Sequence, residues 1–416
     1  MLRPPAHSVI YPLEASDPPL SWRKPRALLE TLVPWLLAAF AFVLATDLRL
    51  PDGRSIAMRL GYLCLILGIA GMLQRRWAVR PPQGFWVLLG FVVWSTCTLG
   101  WAQFPEQARH KVVLYWALFA VSAILPQYAW HPAVRLRLLK AYVAGCWLGV
   151  LGIVMNFARG IPFRAEGEDE LQGRYSFGTD PNYLGLALVV GIPLAIYAAN
   201  ATTARWQKAA LRLYLPAAVM GVLLTGSRGA SIALFAVAVL YALRASRRVW
   251  LLLLGGAVLC VTLLATFPTA ISDRFITMPE ALRYGSLSDR RELWDSGAMV
   301  VRDNLLQGVG AGASAGILSI AVHNTPLELT MEGGLVSLCL FYGAFLLGLG
   351  RTLEQDRRAG WSMVGACAAW LIGCMALSWE IETVSWFLAM ILNSWAPLRL
   401  VAERTETAAP ALRATA

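Results

Sequence analysis

The chain contains four histidines, and His323 stands at the head of a helix-start pattern, His323-Asn324-Thr325-Pro326. Asn324 or Thr325 can cap that helix through a side-chain oxygen, and Pro326 suits its first position because it has no N–H to leave unpaired. The positive end of a helix and nearby arginines disfavour an imidazolium. A neutral imidazole accepts a proton, which is the task of a general base. The same position also suits a histidine that only satisfies the helix end. Glu328 and Glu332 follow at i, i+4 spacing. They can orient His323, pair with arginines or complement the positive helix end.

Arginine is the second chemical signal. Gly173-Arg174-Tyr175-Ser176-Phe177-Gly178-Thr179-Asp180-Pro181-Asn182 ends with an aspartate–proline pair that reads as cap and first helical residue. Thr225-Gly226-Ser227-Arg228-Gly229 reads as a tight turn between two apolar runs. It sets Arg228 near a hydrocarbon boundary, where an unpaired charge is costly. Ser288-Asp289-Arg290-Arg291-Glu292 has the form of a capping box opening a helix to about Leu306, with Leu293, Trp294, Ala298, Val301 and Leu305 on one face. Arg290 then lies in a first turn, where guanidinium and free backbone N–H groups can bind one anion. An amphipathic helix resting on a membrane surface fits the same pattern. Gly308-Val309-Gly310-Ala311-Gly312 follows a helix rather than a strand, so it reads as a flexible or close-packed loop and not as a nucleotide cradle. No Asp, Glu and His cluster has metal-ligand spacing, Glu380 with Glu382 being the nearest acidic pair. No Ser or Cys sits on a nucleophile elbow. No metal and no cofactor is expected.

The elements that must position these residues are membrane spans. The chain has 416 residues, 57% hydrophobic and 15% charged, with 17 Trp. This places it in the integral-membrane class as a single domain over residues 1–416. The net charge of +11 reads as orientation bias and headgroup contact rather than as nucleic-acid binding. The seven cysteines lie in apolar runs and read as packing residues. About twelve runs are long enough to span: 29–46, 57–73, 84–100, 112–129, 138–158, 183–200, 210–226, 229–243, 249–267, 327–349, 361–378 and 382–396. The first is expected to be a retained anchor. Most of the 36 Lys and Arg fall on the side that carries both termini, which makes that side cytoplasmic. The positive residues on the opposite side are nearly all arginine, the better group for bidentate phosphate recognition, and they point to an anionic substrate. Two connections on that side are long, 159–182 and 268–326.

Taken together these segments resemble the O-antigen ligase (WaaL) family and the related Wzy-type polymerases. The likeness rests on Gly173-Arg174 with Phe177-Gly178 to Pro181-Asn182-Tyr183, on Leu224-Thr225-Gly226-Ser227-Arg228-Gly229, on Arg290 with Trp294, on Gly308-Val309-Gly310, and on His323-Asn324 with Glu332-Gly333-Gly334. It covers roughly the C-terminal 60% of the chain. The resemblance implies an all-α, glycosyltransferase C-like protein of the bacterial inner membrane with a large helical periplasmic loop. It implies metal-independent, inverting transfer of a glycan from undecaprenyl pyrophosphate to lipid A–core oligosaccharide at the periplasmic face. His323 is then the base, and Arg174, Arg228 and Arg290 bind the pyrophosphate. Arg291, Asn324, Glu328, Glu332 and Asp180 are supporting candidates, and Arg291 competes with Arg290 for the phosphate role. A polymerase or a protein O-oligosaccharyltransferase shares the donor side. A transporter or lipid-glycan flippase is the rival from another class, although its repeats and interrupted helices are not seen in the sequence.

Overall fold

In hydrocarbon a backbone can pair only with itself, so long apolar runs become helices. A computed structural model of the chain describes residues 25–50, 55–74, 81–164, 173–244, 262 and 290–395. Its helices, in order, are α1 Pro25–Val43, α2 Ile56–Gln74, α3 Gln83–Cys97, α4 Pro105–Ala129, α5 Pro132–Ala158, α6 Pro181–Ala201, α7 Arg205–Thr225, α8 Arg228–Ala242, α9 Arg290–Asp303, α10 Ala313–Leu318, α11 Thr325–Gln355, α12 Arg357–Cys374 and α13 Thr383–Leu392. Among the described residues there is no strand, only an isolated bridge between Arg49 and Ser55.

Among the described residues seven helices are long and apolar enough to cross a membrane: α2, α3 with the 3-10 turn that extends it to Gly100, α4, α5, α6, α7 and α11. Leu28–Val43, α8 and α13 are apolar but shorter. The expected run 249–267 and the loop 268–289 lie outside the described residues, Thr262 apart. The expected span 361–378 stops at Cys374, and residues 375–382 leave the helix. α6 is the most enclosed of the seven and packs against α5, α7, α8 and α12. α11 lies along α3, α12 and α13, with α9 across its start. Outward faces carry large apolar side chains such as Ile66, Leu73, Leu213 and Phe235, as lipid contact requires.

α11 is broken at Gly334, whose φ of 68° is non-helical. A broken helix frees carbonyls, and here the glycine-rich segment takes them. Val309 N donates to Met331 O at 2.8 Å and Gly310 N to Glu332 O at 2.9 Å, while Leu335 N donates to Leu305 O at 2.9 Å. Trp94 Nε1 donates to Gly333 O at 2.8 Å and Trp101 Nε1 to Gly308 O at 3.2 Å. The glycine segment is therefore close-packed: a Cβ at Gly308, Gly310 or Gly334 would collide with Glu332, Ala102 or Leu306 backbone respectively. The break separates a half-helix, residues 325–333, from the apolar remainder of α11.

Gly334→Ala combines a left-handed backbone with that collision, so it is expected to destabilise the protein by at least about 2 kcal/mol. Gly350→Ala, on the same helix with nothing within 4 Å of its Cβ position, is the control and is expected to be neutral or slightly stabilising. Thermal unfolding of both variants in detergent checks this; equal melting temperatures would refute it.

Candidate functional site

The site is organised by residues 375–380, the irregular segment after α12. Its carbonyls accept from three directions. Asn324 Nδ2 reaches Met375 O at 3.4 Å, Arg290 Nη1 reaches Ala376 O at 2.7 Å, and Thr325 Oγ1 reaches Leu377 O at 2.8 Å. Trp379 N donates back to Thr325 Oγ1 at 2.7 Å, and Ser378 Oγ donates to Glu328. From the other side Trp386 Nε1 donates to Glu380 O at 2.8 Å and Ser385 Oγ to Trp379 O at 2.5 Å. Ser378, Trp379 and Glu380 are buried. A buried irregular segment must have its backbone paired, and these bonds do so. Sequence reading took residues 375–378 as the end of a span and missed the segment.

His323 sits immediately before the half-helix in a left-handed conformation, φ 52°. Such a backbone costs about 1–3 kcal/mol in a non-glycine residue and clusters at functional sites. Asn324 is the N-cap, its Oδ1 accepting from Leu327 N at 3.0 Å. Thr325 is thus the first helical residue and Pro326 the second, one position later than expected, because the Thr325 hydroxyl is committed to residues 377–379. Among the described residues the His323 Nδ1 atom is enclosed and has no hydrogen-bond partner. Burial lowers the imidazole pKa from its ordinary value, and the Arg290 guanidinium lowers it further, with Glu328 and Asp180 pulling the other way. The expected neutral base therefore has a physical cause in burial first and in charge second.

Arg290 opens α9 in the described residues and is half-buried, whereas Arg291 is exposed. Of the two, Arg290 is the one turned toward Ala376, His323 and Asp180. Asp289 of the expected capping box lies outside the described residues. α9 ends at Asp303 rather than Leu306, and its packed side differs from the expected one. Gly297 meets Met331 and Leu327, and Trp294 Nε1 donates to Val322 O at 3.0 Å, while Ala298 and Leu305 are exposed.

Arg174 is buried beneath the start of α6. Its Nε donates to Thr225 O at 3.0 Å and its Nη2 to Asn182 Oδ1 at 2.7 Å. Asp180 caps α6 by accepting from Asn182 N at 2.7 Å, with Pro181 first in the helix, as the sequence suggests. Gly226, φ 58°, ends α7 and Ser227 caps α8 through Ala230 N, so Arg228 is the first residue of α8. The neighbouring Gly229 has its Cβ position 3.3 Å from Ala376, the residue that receives Arg290. The ends of α6, α8, α9 and α11 thus meet around residues 375–380.

Among the described residues the bonds of Glu328 and Glu332 go to Lys111, Ser314 and Ser378 rather than to His323. Both converge on Lys111 of α4, at 2.5 Å and 2.9 Å, and Ser314 donates to Glu332 at 2.6 Å and Glu328 at 3.2 Å. Glu380 is 3.2 Å from the same ammonium. Glu382 does not join it and is influenced by Asp47 and Arg49 instead. The carboxylates enclose a tethered cation, the ammonium of Lys111, and among the described residues no group is arranged to hold a metal ion.

The fold and site define a multi-pass helical membrane protein with arginines and a histidine gathered at helix ends. Residues 213–342 match the family model Wzy_C, described as O-antigen ligase. The matched segment contains Arg228, Arg290, His323 and Glu332, and leaves out Arg174, Lys111 and residues 375–380. No curated protein matches the chain. The resemblance drawn from the motifs is thus supported over that segment, and with it a ligase- or polymerase-type role in O-antigen processing.

Thr325→Val keeps shape but removes the hydroxyl that bridges Leu377 O and Trp379 N. Leaving two buried backbone groups unpaired is expected to cost about 2–4 kcal/mol. Thermal unfolding of the variant beside wild type measures it; a loss well under 1 kcal/mol would mean that residues 375–380 are not docked through Thr325.

Proposed function

We propose that the protein is an O-antigen ligase: it transfers a glycan from undecaprenyl pyrophosphate to a sugar hydroxyl of lipid A–core oligosaccharide at the periplasmic face of the bacterial inner membrane, with both termini cytoplasmic. The observation that carries this reading is the meeting of Arg290 and His323 at residues 375–380, in a chain whose 213–342 segment matches the O-antigen ligase model.

In this reading the acceptor hydroxyl oxygen attacks the anomeric carbon from the face opposite the pyrophosphate. A new C–O bond forms as the bond to the pyrophosphate oxygen breaks, so the anomeric centre inverts. The hydroxyl proton goes to the His323 imidazole. The electron pair goes to the pyrophosphate, where Arg174, Arg228 and Arg290 stabilise the growing charge. Guanidinium groups remain charged at any working pH and offer paired donors, so they take the place that a divalent cation has in other phosphate chemistry. Arg228 and Arg290 stand at helix starts, which adds the partial positive charge of free N–H groups. A lipid-borne donor suits a site built where helices end near a membrane surface.

Reconstitution with a lipid-pyrophosphate glycan tests the reading, with lipid A–core, free glycan chain and protein offered in parallel. Transfer to lipid A–core is expected. Transfer only to glycan ends or to protein would make the protein a polymerase or a protein glycosyltransferase, and donor translocation without transfer would make it a transporter. His323→Ala is expected to lower turnover about 1,000-fold at unchanged membrane level. Alanine at Arg174, Arg228 or Arg290 is expected to lower it about 100-fold, with lysine recovering only part. Chelation of divalent ions is expected to leave the rate unchanged.

The pH profile carries its own expectation. A base works when neutral, so activity falls as pH drops through the pKa of His323. That pKa lies below the ordinary 6.5, and wild-type transfer should therefore persist into mildly acidic buffer. Arg290→Gln removes one cause of the lowering, so the acid limb of the residual activity should move to higher pH. An acid limb that stays in place in Arg290→Gln would separate the two residues.

A further inference from the structure

The three carboxylates around Lys111 belong to the elements that carry the base and dock the arginine. Glu328 and Glu332 lie on the half-helix that starts at His323, and Glu380 closes the segment that receives Arg290, Asn324 and Thr325. The four side chains are 0–11% exposed. An ammonium this deeply enclosed is expensive to bury unless it is paired, and removing it strands the charges that it balances. Lys111 cannot balance all three carboxylates when each is ionised. Glu380 is the odd member: it is fully buried, and among the described residues neither of its oxygens has a hydrogen-bond partner, although Oε1 lies 3.2 Å from the Lys111 ammonium. Burial, and then the charge of Glu328, push its carboxyl up to about 8, while Lys111 pulls it down. The titratable groups facing it are Lys111 and Tyr115 from α4, Glu328, Glu332 and Tyr342 from α11, Cys374 from α12 and Tyr183 from α6.

We propose that Lys111 is the positioning residue of the site: its ammonium ties the half-helix behind His323 and the segment that docks Arg290 to one point on α4. It touches no reacting atom. It fixes the distance between two parts that do. Its catalytic consequence rests on the transferase reading given above; its structural consequence does not.

The test compares Lys111→Met, which keeps length and loses charge, with Lys111→Arg, which keeps charge. Hydrogen–deuterium exchange is read over residues 325–333 and 375–380 in detergent-purified protein, and kcat and donor KM are read with the lipid-pyrophosphate glycan. Lys111→Met is expected to exchange about tenfold faster in both segments and to lose kcat about 30-fold, with KM within about threefold of wild type. Lys111→Arg is expected to restore the protection and much of the kcat. Wild-type protection and turnover in Lys111→Met, or Lys111→Arg no better than Lys111→Met, would overturn the proposal. If wild type transfers to no acceptor, the transferase reading fails while the exchange data still decide the tie.

Should Lys111→Met not accumulate, Glu328→Gln decides instead. It keeps shape and removes the ion pair between the half-helix and Lys111. Exchange over residues 325–333 is expected to quicken about tenfold. Exchange equal to wild type would overturn the proposal.

Discussion

A helix that ends inside a membrane protein must have its open backbone groups paired, and this requirement shapes the region around His323. Water is scarce there, so each unpaired N–H or C=O is costly. The break at Gly334 frees carbonyls, and the amides of Val309 and Gly310 take two of them. The start of the half-helix is closed by the Asn324 cap and by the Thr325 hydroxyl, which bridges to residues 377–379. The end of α12 is completed by side chains from α9 and α11. Each opening is sealed by the next element, so strands of backbone that look like loops in the sequence act as fixed walls. Preorganised walls suit chemistry whose main demand is to hold charge in a set place.

Electrostatics is layered on that framework. One layer contains Arg228 and Arg290 at helix starts and Arg174 in the loop before α6, and Arg290 faces His323. A second, deeper layer contains the carboxylates around Lys111. The two are separated by the half-helix, whose first residues face one layer and whose Glu328 and Glu332 face the other. Glu328 and Glu332 are therefore committed to Lys111 rather than to His323 or Arg290.

Much of this was legible in the sequence, and the reasons are local. Apolar runs of about 20 residues can only be helices, so most helices fall where hydropathy places them. Asp180-Pro181, Thr225-Gly226-Ser227 and Asn324 are short-range signals that form the caps they suggest. What was not legible depends on distant partners. Glu328 and Glu332 meet Lys111 more than 200 positions away, and no spacing rule reports such a pair. Residues 375–378 read as the end of an apolar span because Met375-Ala376-Leu377 continues the pattern of α12; the carbonyl acceptors there are backbone, which no side-chain pattern reveals. Arg290 and Arg291 are equivalent in composition and differ only in which way the helix turns them. The Gly308–Gly312 segment shows the opposite case: glycine signals either freedom or crowding, and only the collision of a Cβ with neighbouring backbone decides for crowding.

Lys111 lies on α4, well before the 213–342 segment that matches the O-antigen ligase model, yet its counter-charges sit on α11, inside it, and just beyond it. The two halves of the protein therefore share a single buried charge cluster. A hybrid that grafts these C-terminal helices onto foreign N-terminal spans would inherit unbalanced negative charge in its interior, unless the donor spans happen to deliver a cation at the same depth. Such a coupling makes the front of the molecule a companion of the matched segment rather than an interchangeable anchor.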